Sequence, residues 1–413
     1  MPGQVYKKGK QDKMKASIIE TKSTRERIAK EAKAHLTSVI IPFWHQLSDE
    51  EHGGYYGYMD HELRIDKKAV KGCILNSRIL WFFSNAYLLF QDEMLLEDAK
   101  HAFCFLKKAF WDADEGGVYW SVTYEGKPQE DMKHTYNQAF AIYALSSFYA
   151  ASGEKEALTM ALELFETVES KCTDAFGYRE AFNRSFAETD NDKLSENGIL
   201  AEKTMNTLLH IFEAYTELYR VSGDARVKDR IQWIMDVFAG KVYNAQKHRQ
   251  EVFFDREMNS LLDLHSLGHD IETAWLIDRG TEVLGEKEYV EKMSPITQDL
   301  TAEVYRHLNI EGALASETEN DLPSAGYVWW VQAETVVGFL NGYEKNPVKE
   351  EYLETASNAW KFILDHIWDR RAGGEWHSEI DGEYRSINKP EVDPWKCPYH
   401  NGRMCIEMIN RAK

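Results

Sequence analysis

A histidine and a glutamate lie one helical turn apart in the second half of the chain. His269 and Glu272 are at positions i and i+3 of an amphipathic run, so the imidazole and the carboxylate share one helix face. A carboxylate beside a histidine fixes its tautomer and holds up its pKa, which suits proton transfer near neutral pH. Three other interpretations fit these residues: a structural ion pair, a glycoside hydrolase that pairs Glu272 with Glu334, or a metal pair of His265 and His269. No matching set of cysteines or carboxylates completes such a metal site.

A second histidine follows a proline close to the C-terminus. Pro398 restricts the residue before it to extended geometry, so a helix is predicted to begin just after it, near His400. At a helix N-terminus the dipole disfavours the imidazolium cation and keeps His400 available as a base, although a structural role fits it equally well. Trp395, five residues earlier, offers an aromatic face on which a sugar ring could stack.

Other polar residues could bind a polyhydroxylated ligand. Tyr136, Asn137 and Asn206 carry hydrogen-bonding groups suited to sugar hydroxyls. Arg78 could hold a carbonyl or enolate oxygen through charge-assisted hydrogen bonds.

The composition indicates an enzyme that acts on a neutral ligand. A net charge of −19 opposes binding to nucleic acid or to an anionic membrane. No stretch approaches the roughly 18 uninterrupted apolar residues of a membrane span. The five cysteines are an odd number without a CxxC pair, which favours buried thiols in a reducing cytoplasm. Residues 1–20 are polar and lack the apolar core of a signal peptide, so we interpret them as a flexible leader.

A turn that combines glycine with aromatic or apolar residues recurs about every sixty residues. Its copies are Gly53–Tyr56, Gly116–Trp120 and Phe176–Tyr178, followed by the more divergent Glu251–Phe254, Glu311–Leu314 and Gly373–Trp376. Gly54 and Gly117 are 63 residues apart, and Gly117 and Gly177 are 60 apart. The 135 residues from Gly177 to Gly312 leave room for two units. A period of this length predicts a repeat architecture with two elements per unit.

Apolar residues at spacings of three and four predict that both elements of each unit are helices. The predicted pairs are Ser77–Phe90 with Leu96–Trp111, Thr135–Ser152 with Glu156–Cys172, Thr204–Ser222 with Val227–Tyr243, His269–Leu284 with Tyr289–Leu308, Trp330–Tyr343 with Glu350–Trp368, and Arg25–Leu47 with His400–Arg411. Six hairpins predict an all-α fold, an (α/α)6 six-hairpin barrel; an open α-solenoid is the alternative. We expect one catalytic domain over residues 21–413.

Each first helix of these hairpins carries polar or aromatic groups near its N-terminal end. They are Ser77 and Arg78; His134 to Asn137; Lys203, Asn206 and His210; His269, Glu272 and Trp275; Trp330 and Glu334; and His400 and Arg403. In a closed ring these six ends meet around one mouth, so residues distant in sequence should converge on one pocket.

Long motifs give the chain a specific family resemblance. The runs KGCILNSRILWFFSNAY, KHTYNQAFAIYAL, LSENG, KTMNTLLHIFEAY, GHDIETAWL, VWWVQAETVVGF and WKCPYHNGRMC resemble the cellobiose 2-epimerases of the N-acylglucosamine 2-epimerase superfamily. The resemblance extends from about Ile41 to the last helix. One position departs from the pattern, because some relatives read N-T-H-L-H on the third inner helix and Leu208 replaces the first of those histidines here. We expect this change to affect packing or rate.

The resemblance implies reversible epimerisation at C2 of the reducing-end glucose of a neutral disaccharide of the cellobiose, lactose or mannobiose class. It implies that His269 and His400 are the general acid/base residues, and we include His210 in the catalytic set. The implied substrate-binding residues are Arg78, Tyr136, Asn206, Glu272, Trp275, Trp330, Glu334 and Trp395, with the tryptophans stacking on substrate.

The expected reaction passes through ring opening and an enediolate. It needs no metal and no cofactor, and the sequence contains no GxGxxG after a strand and no P-loop. The nearest rivals are an aldose–ketose isomerase and an N-acylglucosamine or mannobiose 2-epimerase on the same scaffold. We expect a cytoplasmic monomer or homodimer.

Overall fold

A computed structural model of the chain describes residues 22–194, 198–319 and 322–413. Within these ranges it contains twelve helices. They are α1 (residues 22–45), α2 (Cys73–Phe90), α3 (Glu93–Phe105), α4 (Thr135–Ser152), α5 (Lys155–Thr167), α6 (Met205–Ser222), α7 (Ala225–Val237), α8 (Leu267–Leu284), α9 (Lys287–Tyr305), α10 (Trp329–Lys345), α11 (Glu350–Phe362) and α12 (His400–Arg411). The predicted leader at residues 1–20 lies outside the described residues.

The even-numbered helices form an inner ring. Each packs against the next, and α12 contacts both α10 and α2, so the ring is closed. The odd-numbered helices lie outside it, and the second half of α1 packs against α12 to complete the sixth hairpin. The prediction of an (α/α)6 barrel is therefore confirmed, and the open solenoid is wrong.

Inner and outer helices differ in how much of their surface they bury. Fourteen of the eighteen residues of α4 are buried, whereas α5 buries one face that includes Ala157, Met160 and Leu164. Helix α2 is long and apolar enough to cross a membrane by length and composition, but 72% of it is buried inside the barrel. A core helix of a closed barrel accounts for this apolar character.

The predicted helix bounds hold to within a few residues. Helix α2 begins four residues before the predicted Ser77. Four outer helices continue through one π-helical turn each, at Leu106–Phe110, Val168–Cys172, Phe238–Val242 and Ile363–Ile367. Gly153, Gly223 and Gly285 end three inner helices in the left-handed conformation, as their positions predicted.

The sixty-residue repeat corresponds to a turn after each outer helix. An aspartate or asparagine opens the turn, and its side-chain oxygen accepts hydrogen bonds from backbone N–H groups two to four residues later. These residues are Asp49, Asp112, Asp174, Asn244, Asn309 and Asp369. The capping residue precedes the predicted segment by two to four residues in five copies and by seven in the fourth, so the fourth turn, at Asn244, lies a few residues earlier than predicted.

Short antiparallel strands hold the N-terminal ends of the inner helices together. They are β1 (Lys71–Gly72), β2 (Ser121–Val122), β3 (Pro128–Glu130), β4 (Lys133–His134), β5 (Ala181–Phe182), β6 (Lys203–Thr204), β7 (Tyr243–Asn244), β8 (Arg249–Gln250), β9 (Phe253–Phe254), β10 (Leu264–His265), β11 (Thr318–Glu319), β12 (Leu322–Pro323), β13 (Tyr327–Val328) and β14 (Glu379–Ile380). The sheet orders are β1-β2-β3, β4-β5, β6-β9, β7-β8, β10-β11-β12 and β13-β14. Five strands run directly, or with one intervening residue, into an inner helix.

Buried lysines tie three of these helix starts to the turn of the preceding unit. Lys71 Nζ lies 2.6 Å from Asp49, and Lys133 Nζ lies 2.9 Å from Asp112. Lys203 pairs with Asp174 in the same way. A buried charge is costly unless it is paired, so each pair favours one placement of the strand that precedes the helix. The ends that carry the polar residues are thus rigidly positioned.

Candidate active site

A cavity of about 250 Å³ opens at the N-terminal ends of the inner helices. Its lining consists of Arg78, Tyr136, Lys193, Leu194, Asn206, His210, His269, Glu272, Trp329, Trp330, Trp395 and His400. The predicted convergence of the helix ends on one pocket is confirmed. Nine of the eleven predicted site residues line it, and Trp275 and Glu334 lie behind it.

His269 and His400 face the cavity from different helices, with Trp330 between them. The Trp330 ring centroid lies 4.9 Å from that of His269 and 5.4 Å from that of His400. Each imidazole uses Nδ1 for a hydrogen bond inside the protein, which leaves Nε2 available on the cavity side. Two acid/base groups of the protein could therefore act on one ligand in this cavity.

The partner of His269 differs from the prediction. Its Nδ1 lies 2.7 Å from the hydroxyl of Ser266, the residue before α8. Glu272 instead accepts a hydrogen bond from Arg403. Burial and the nearby His210 lower the pKa of His269 to about 3. The prediction that Glu272 holds up this pKa is wrong, because an uncharged hydroxyl cannot offset the cost of burying an imidazolium.

A carboxylate does support the other histidine. His400 Nδ1 lies 2.7 Å from Glu334 Oε1, and the opposite oxygen of Glu334 accepts a hydrogen bond from Trp275 Nε1 at 2.8 Å. Because a carboxylate only accepts hydrogen bonds, it fixes the His400 tautomer with the proton on Nδ1. Burial and the guanidinium groups of Arg403 and Arg78 keep the pKa of His400 well below its usual range.

This arrangement also corrects the role expected for Trp275. The ring is buried, and the Arg403 guanidinium covers its face at 4.7 Å from the centroid. A sugar cannot stack there. Trp275 instead positions Glu334, and Trp329, which sequence reasoning missed, lines the cavity in contact with the His400 ring.

Arg403 joins three buried carboxylates beneath the cavity. Its Nη2 lies 2.5 Å from Glu272 and 2.7 Å from Glu334, and its Nη1 lies 2.5 Å from Glu213. Glu213 also accepts hydrogen bonds from Tyr399 and from His210 Nδ1, the latter at 2.9 Å. Burial raises the pKa of Glu213, but the Arg403 guanidinium and the hydrogen bonds from His210 and Tyr399 together outweigh it and lower the pKa to about 2.

Glu272 is the one carboxylate of this group that lines the cavity. Burial and the neighbouring Glu334 raise its pKa to about 8, and burial also raises the pKa of Glu334. Glu272 Oε2 is buried without a hydrogen-bond partner among the described residues. It is therefore free to bind a ligand hydroxyl.

Glu272, Glu334 and His400 place their ligand atoms within 4.8 Å of one another, as a metal site would require. The Arg403 guanidinium already bonds both carboxylates, so a second cation there would meet strong repulsion. The predicted alternative of a metal pair between His265 and His269 also fails. His265 Nε2 binds Asp270 at 2.9 Å, whereas His269 Nδ1 binds a serine.

Arg78 is a buried cation that forms no ion pair with a carboxylate in the described part of the chain. Its Nη2 donates to the Tyr136 hydroxyl at 2.8 Å, and its guanidinium lies over the rings of Phe140 and Tyr399 at 4.1 and 4.8 Å. Nε has no hydrogen-bond partner among these residues. An uncompensated guanidinium at a cavity wall is arranged to stabilise an anion.

His210 reaches the cavity from α6. Burial lowers its pKa, and its ring lies edge-on to Tyr136 at 5.2 Å. Leu208, the position that departs from the family pattern, is buried in the hydrophobic core and does not line the cavity. This position agrees with the expected effect on packing.

A second cavity of about 400 Å³ adjoins the first at the mouth. The two share Leu194, Asn206, His269, Trp329, Trp330 and Trp395. Asn206 Oδ1 is buried and lacks a hydrogen-bond partner in the described ranges, whereas Asn137 lies beneath the surface and bonds the Tyr119 carbonyl. Trp395 is 38% exposed and stands 5.9 Å from the Tyr136 ring.

Besides Trp329, sequence reasoning did not predict Lys193, Leu194 or Glu213 as site residues. Lys193 and Leu194 come from the loop after β5, where the resemblance included only the LSENG run that begins at Leu194. Glu213 has a detectable signal, because it lies three residues after His210 on the same helix face.

The closed α/α barrel and a mouth lined by aromatic rings, neutral imidazoles and an unpaired guanidinium define a carbohydrate-active enzyme. The N-acylglucosamine 2-epimerase (GlcNAc 2-epimerase) family model matches residues 54–402. A cellobiose 2-epimerase of Ruminococcus albus is 48% identical over 383 residues, covering 92% of this chain and 98% of that protein. One from Eubacterium cellulosolvens is 47% identical, covering 91% of this chain and 96% of that protein.

A solved structure, described as a sugar epimerase from a ruminal bacterium, has a TM-score of 0.91 at 48% identity, covering 93% of this chain and 98% of that chain. The chain belongs to the N-acylglucosamine 2-epimerase family and is a carbohydrate epimerase.

Proposed function

We propose that the protein is a cellobiose 2-epimerase, which inverts C2 of the reducing-end glucose of cellobiose and related β-1,4-linked disaccharides. The resemblance to relatives of that name over nearly their whole length supports the substrate class. One observation at the site carries the chemistry: Arg78 is buried without a carboxylate partner in the described residues, beside two neutral histidines.

The reaction begins with ring opening, because the C2 proton is acidic only next to the free aldehyde. A neutral imidazole takes the proton from O1 and becomes an imidazolium, while the ring oxygen receives a proton from solvent and the C1–O5 bond breaks. Nε2 of the other histidine, which is still neutral, then removes the C2 proton. The electron pair moves into a C1–C2 double bond, and the carbonyl oxygen becomes the enediolate oxyanion.

The oxyanion needs a preorganised cation, and Arg78 supplies it from a buried position. Removing one such donor typically costs about 10²–10³ in rate. Return of a proton to the opposite face of C2 gives the mannose configuration. His269 on α8 and His400 on α12 approach the cavity from different helices, so the neutral one takes the C2 proton and the imidazolium formed at ring opening returns a proton to C2.

The two cavities provide for two sugar units. The inner one holds the acid/base residues and suits the reducing-end sugar, since the chemistry takes place there. The adjoining cavity, with Trp395 at its edge, suits the second sugar. Such a division favours a disaccharide over a single N-acylated sugar.

The hydrolase alternative fits the geometry poorly. A glycoside hydrolase needs two carboxyl groups that flank the scissile bond. Glu334 lies behind the cavity and uses its oxygens on His400, Trp275 and Arg403. Only Glu272 reaches the ligand space.

The protein's surroundings are also part of the proposal. The five cysteines are unpaired, and four are buried, which suits a reducing cytoplasm. The proposed substrates are neutral disaccharides, nucleic acid and membranes are not partners, and the protein works as a monomer or homodimer.

An NMR time course of cellobiose in D₂O tests the proposal. We expect a mannose-type reducing end that carries deuterium at C2. A ketose would identify an isomerase and free glucose a hydrolase, and either would overturn the proposal. Absence of reaction with cellobiose, together with turnover of N-acetylglucosamine or mannobiose, would move the protein to another branch of the family.

Variants of the two histidines test their roles. We expect His269→Ala and His400→Ala to lower kcat by about 10²–10⁴, the contribution typical of acid/base residues. His248→Ala is the matched control, because His248 is an exposed histidine paired with Asp299. Near-parental activity in either cavity variant would refute the assignment.

A further inference from the structure

A second cluster of ligating side chains lies outside the catalytic cavity. His61, His377 and Glu391 place their ligand atoms within 4.8 Å of one another. His61 belongs to the loop between α1 and α2, His377 follows α11, and Glu391 lies in the segment that leads to α12. None of the three lines either compartment of the active site.

We propose that His61, His377 and Glu391 bind a zinc-class divalent cation. Nδ1 of His377 lies 3.1 Å from Glu391 Oε1, and Nδ1 of His61 lies 3.4 Å from the same oxygen. A tetrahedral zinc ion with ligands at about 2.0–2.1 Å has ligand–ligand edges of about 3.3 Å. Two of the three ligand–ligand distances are therefore close to those of such a site, and the ion would replace the hydrogen bond between His377 and Glu391.

Two atoms in the cluster have unused binding capacity. Glu391 is 1% exposed, yet its Oε2 has no hydrogen-bond partner in the described ranges of the chain. His61 Nδ1 is likewise buried without a hydrogen bond. A buried polar atom without a partner is costly, so a ligand that satisfies both is favoured.

The surrounding charges are compatible with a cation. Arg371 donates to Glu391 Oε1 at 3.1 Å and to Asp369 Oδ2 at 2.7 Å. Glu391 Oε1, which faces both imidazoles, has a second lone pair for the ion beside this bond, and Oε2 can complete a bidentate contact. The two carboxylates outweigh the single guanidinium. Asp369 also lies 3.8 Å from His377 Nε2, on the side where a carboxylate orients a metal-binding histidine.

The site is accessible, because the side chains of His61 and His377 are 19% and 15% exposed. Two imidazoles and one carboxylate leave a fourth position for water. The ion would link two loops that already share backbone hydrogen bonds, from Met59 N to Val392 O and from Glu391 N to Met59 O. One of them leads to Trp395, so the ion would brace the mouth without taking part in the reaction.

Isothermal titration of the chelator-treated protein with Zn²⁺ tests the site. We expect one ion per chain and a rise in Tm of about 5 °C at saturation. His61→Ala, whose side chain is partly exposed, and Glu391→Gln should each weaken binding at least about tenfold. Co²⁺ should give the visible absorption of a tetrahedral complex in the parent and lose it in His61→Ala.

His248→Ala is again the matched control and should bind Zn²⁺ like the parent. Initial epimerisation rates should be the same after chelation, because the cluster lies outside the cavity. Absence of binding to the parent would overturn the proposal. Binding that survives His61→Ala and Glu391→Gln but disappears in His269→Ala would place the ion in the catalytic cavity and would overturn it as well.

Discussion

Replacing Glu334 by glutamine tests whether the carboxylate behind His400 contributes to catalysis. Glu334 accepts hydrogen bonds from His400, Arg403 and Trp275, whereas a glutamine offers one acceptor oxygen and no charge. When His400 takes a proton, the carboxylate stabilises the imidazolium through a charge-assisted bond worth about 1.5–3 kcal/mol. At 1.36 kcal/mol per tenfold change, kcat should fall about 10- to 150-fold. KM should change little, because Glu334 lies behind the cavity and does not reach the ligand.

The assay is the initial rate of deuterium incorporation at C2 of cellobiose in D₂O, measured over a range of substrate concentrations. Glu344→Gln is the matched control: it removes a carboxylate from the same helix, at the far end, where Glu344 pairs with Arg25 and Arg411. This control should retain parental kcat. A folded Glu334→Gln protein with kcat within about threefold of the parent, a difference below 1 kcal/mol, would refute the reasoning.

Two further predictions concern a glycine and a buried histidine. Gly268→Ala should lower kcat by about 10²-fold. The added Cβ would lie 2.7 Å from the Trp330 ring and would displace this ring, which separates the two acid/base histidines. Gly240→Ala is the kinetic control, because a Cβ there meets no atom within 4 Å. His35 accepts a hydrogen bond from Trp376 Nε1 at 2.8 Å, and burial lowers its pKa to about 4. As the pH falls below 6.5, the histidine is therefore protonated in the unfolded chain before it is protonated in the folded protein, which favours unfolding. Urea unfolding should therefore show that His35 lowers the free energy of unfolding by about 2 kcal/mol between pH 7.5 and pH 5. The decrease should be smaller in His35→Gln. Equal pH dependence in both proteins would contradict this assignment.

Much of the fold follows from local sequence patterns. Apolar spacing identifies the helices because each outer helix buries one stripe and each inner helix buries most of its residues. The glycine turns mark the repeat because an aspartate or asparagine caps each of them. The π-helical turns at the ends of four outer helices have no comparable signal, and neither does the displacement of the fourth turn to Asn244. These details depend on how neighbouring units pack.

The candidate site divides in the same way. The barrel fold predicts that the polar helix ends meet at one mouth, where Arg78, Tyr136 and His269 line the same cavity. The fold does not predict which hydrogen-bond partner each side chain has. His269 stands in the first turn of α8 and reaches back to Ser266, while Glu272 stands one turn further along and points toward Arg403. Spacing along one helix identifies a shared face, but the partners come from helices that are distant in sequence.

The two guanidinium groups of the site have opposite charge environments, and this difference explains how one pocket can hold an anion. Arg403 bonds three carboxylates, so its charge is already compensated and it serves to position Glu272, Glu334 and Glu213. In the described part of the chain, Arg78 donates to neutral groups, the Tyr136 hydroxyl, the Trp395 carbonyl and the Cys397 sulfur, and lies over aromatic faces, so its charge stays uncompensated beside the cavity. Burial holds His269 and His400 neutral, so each can accept a proton while Arg78 attracts the negative charge that proton removal creates. An enediolate therefore meets its strongest stabilisation at the wall formed by α2, between two bases on α8 and α12.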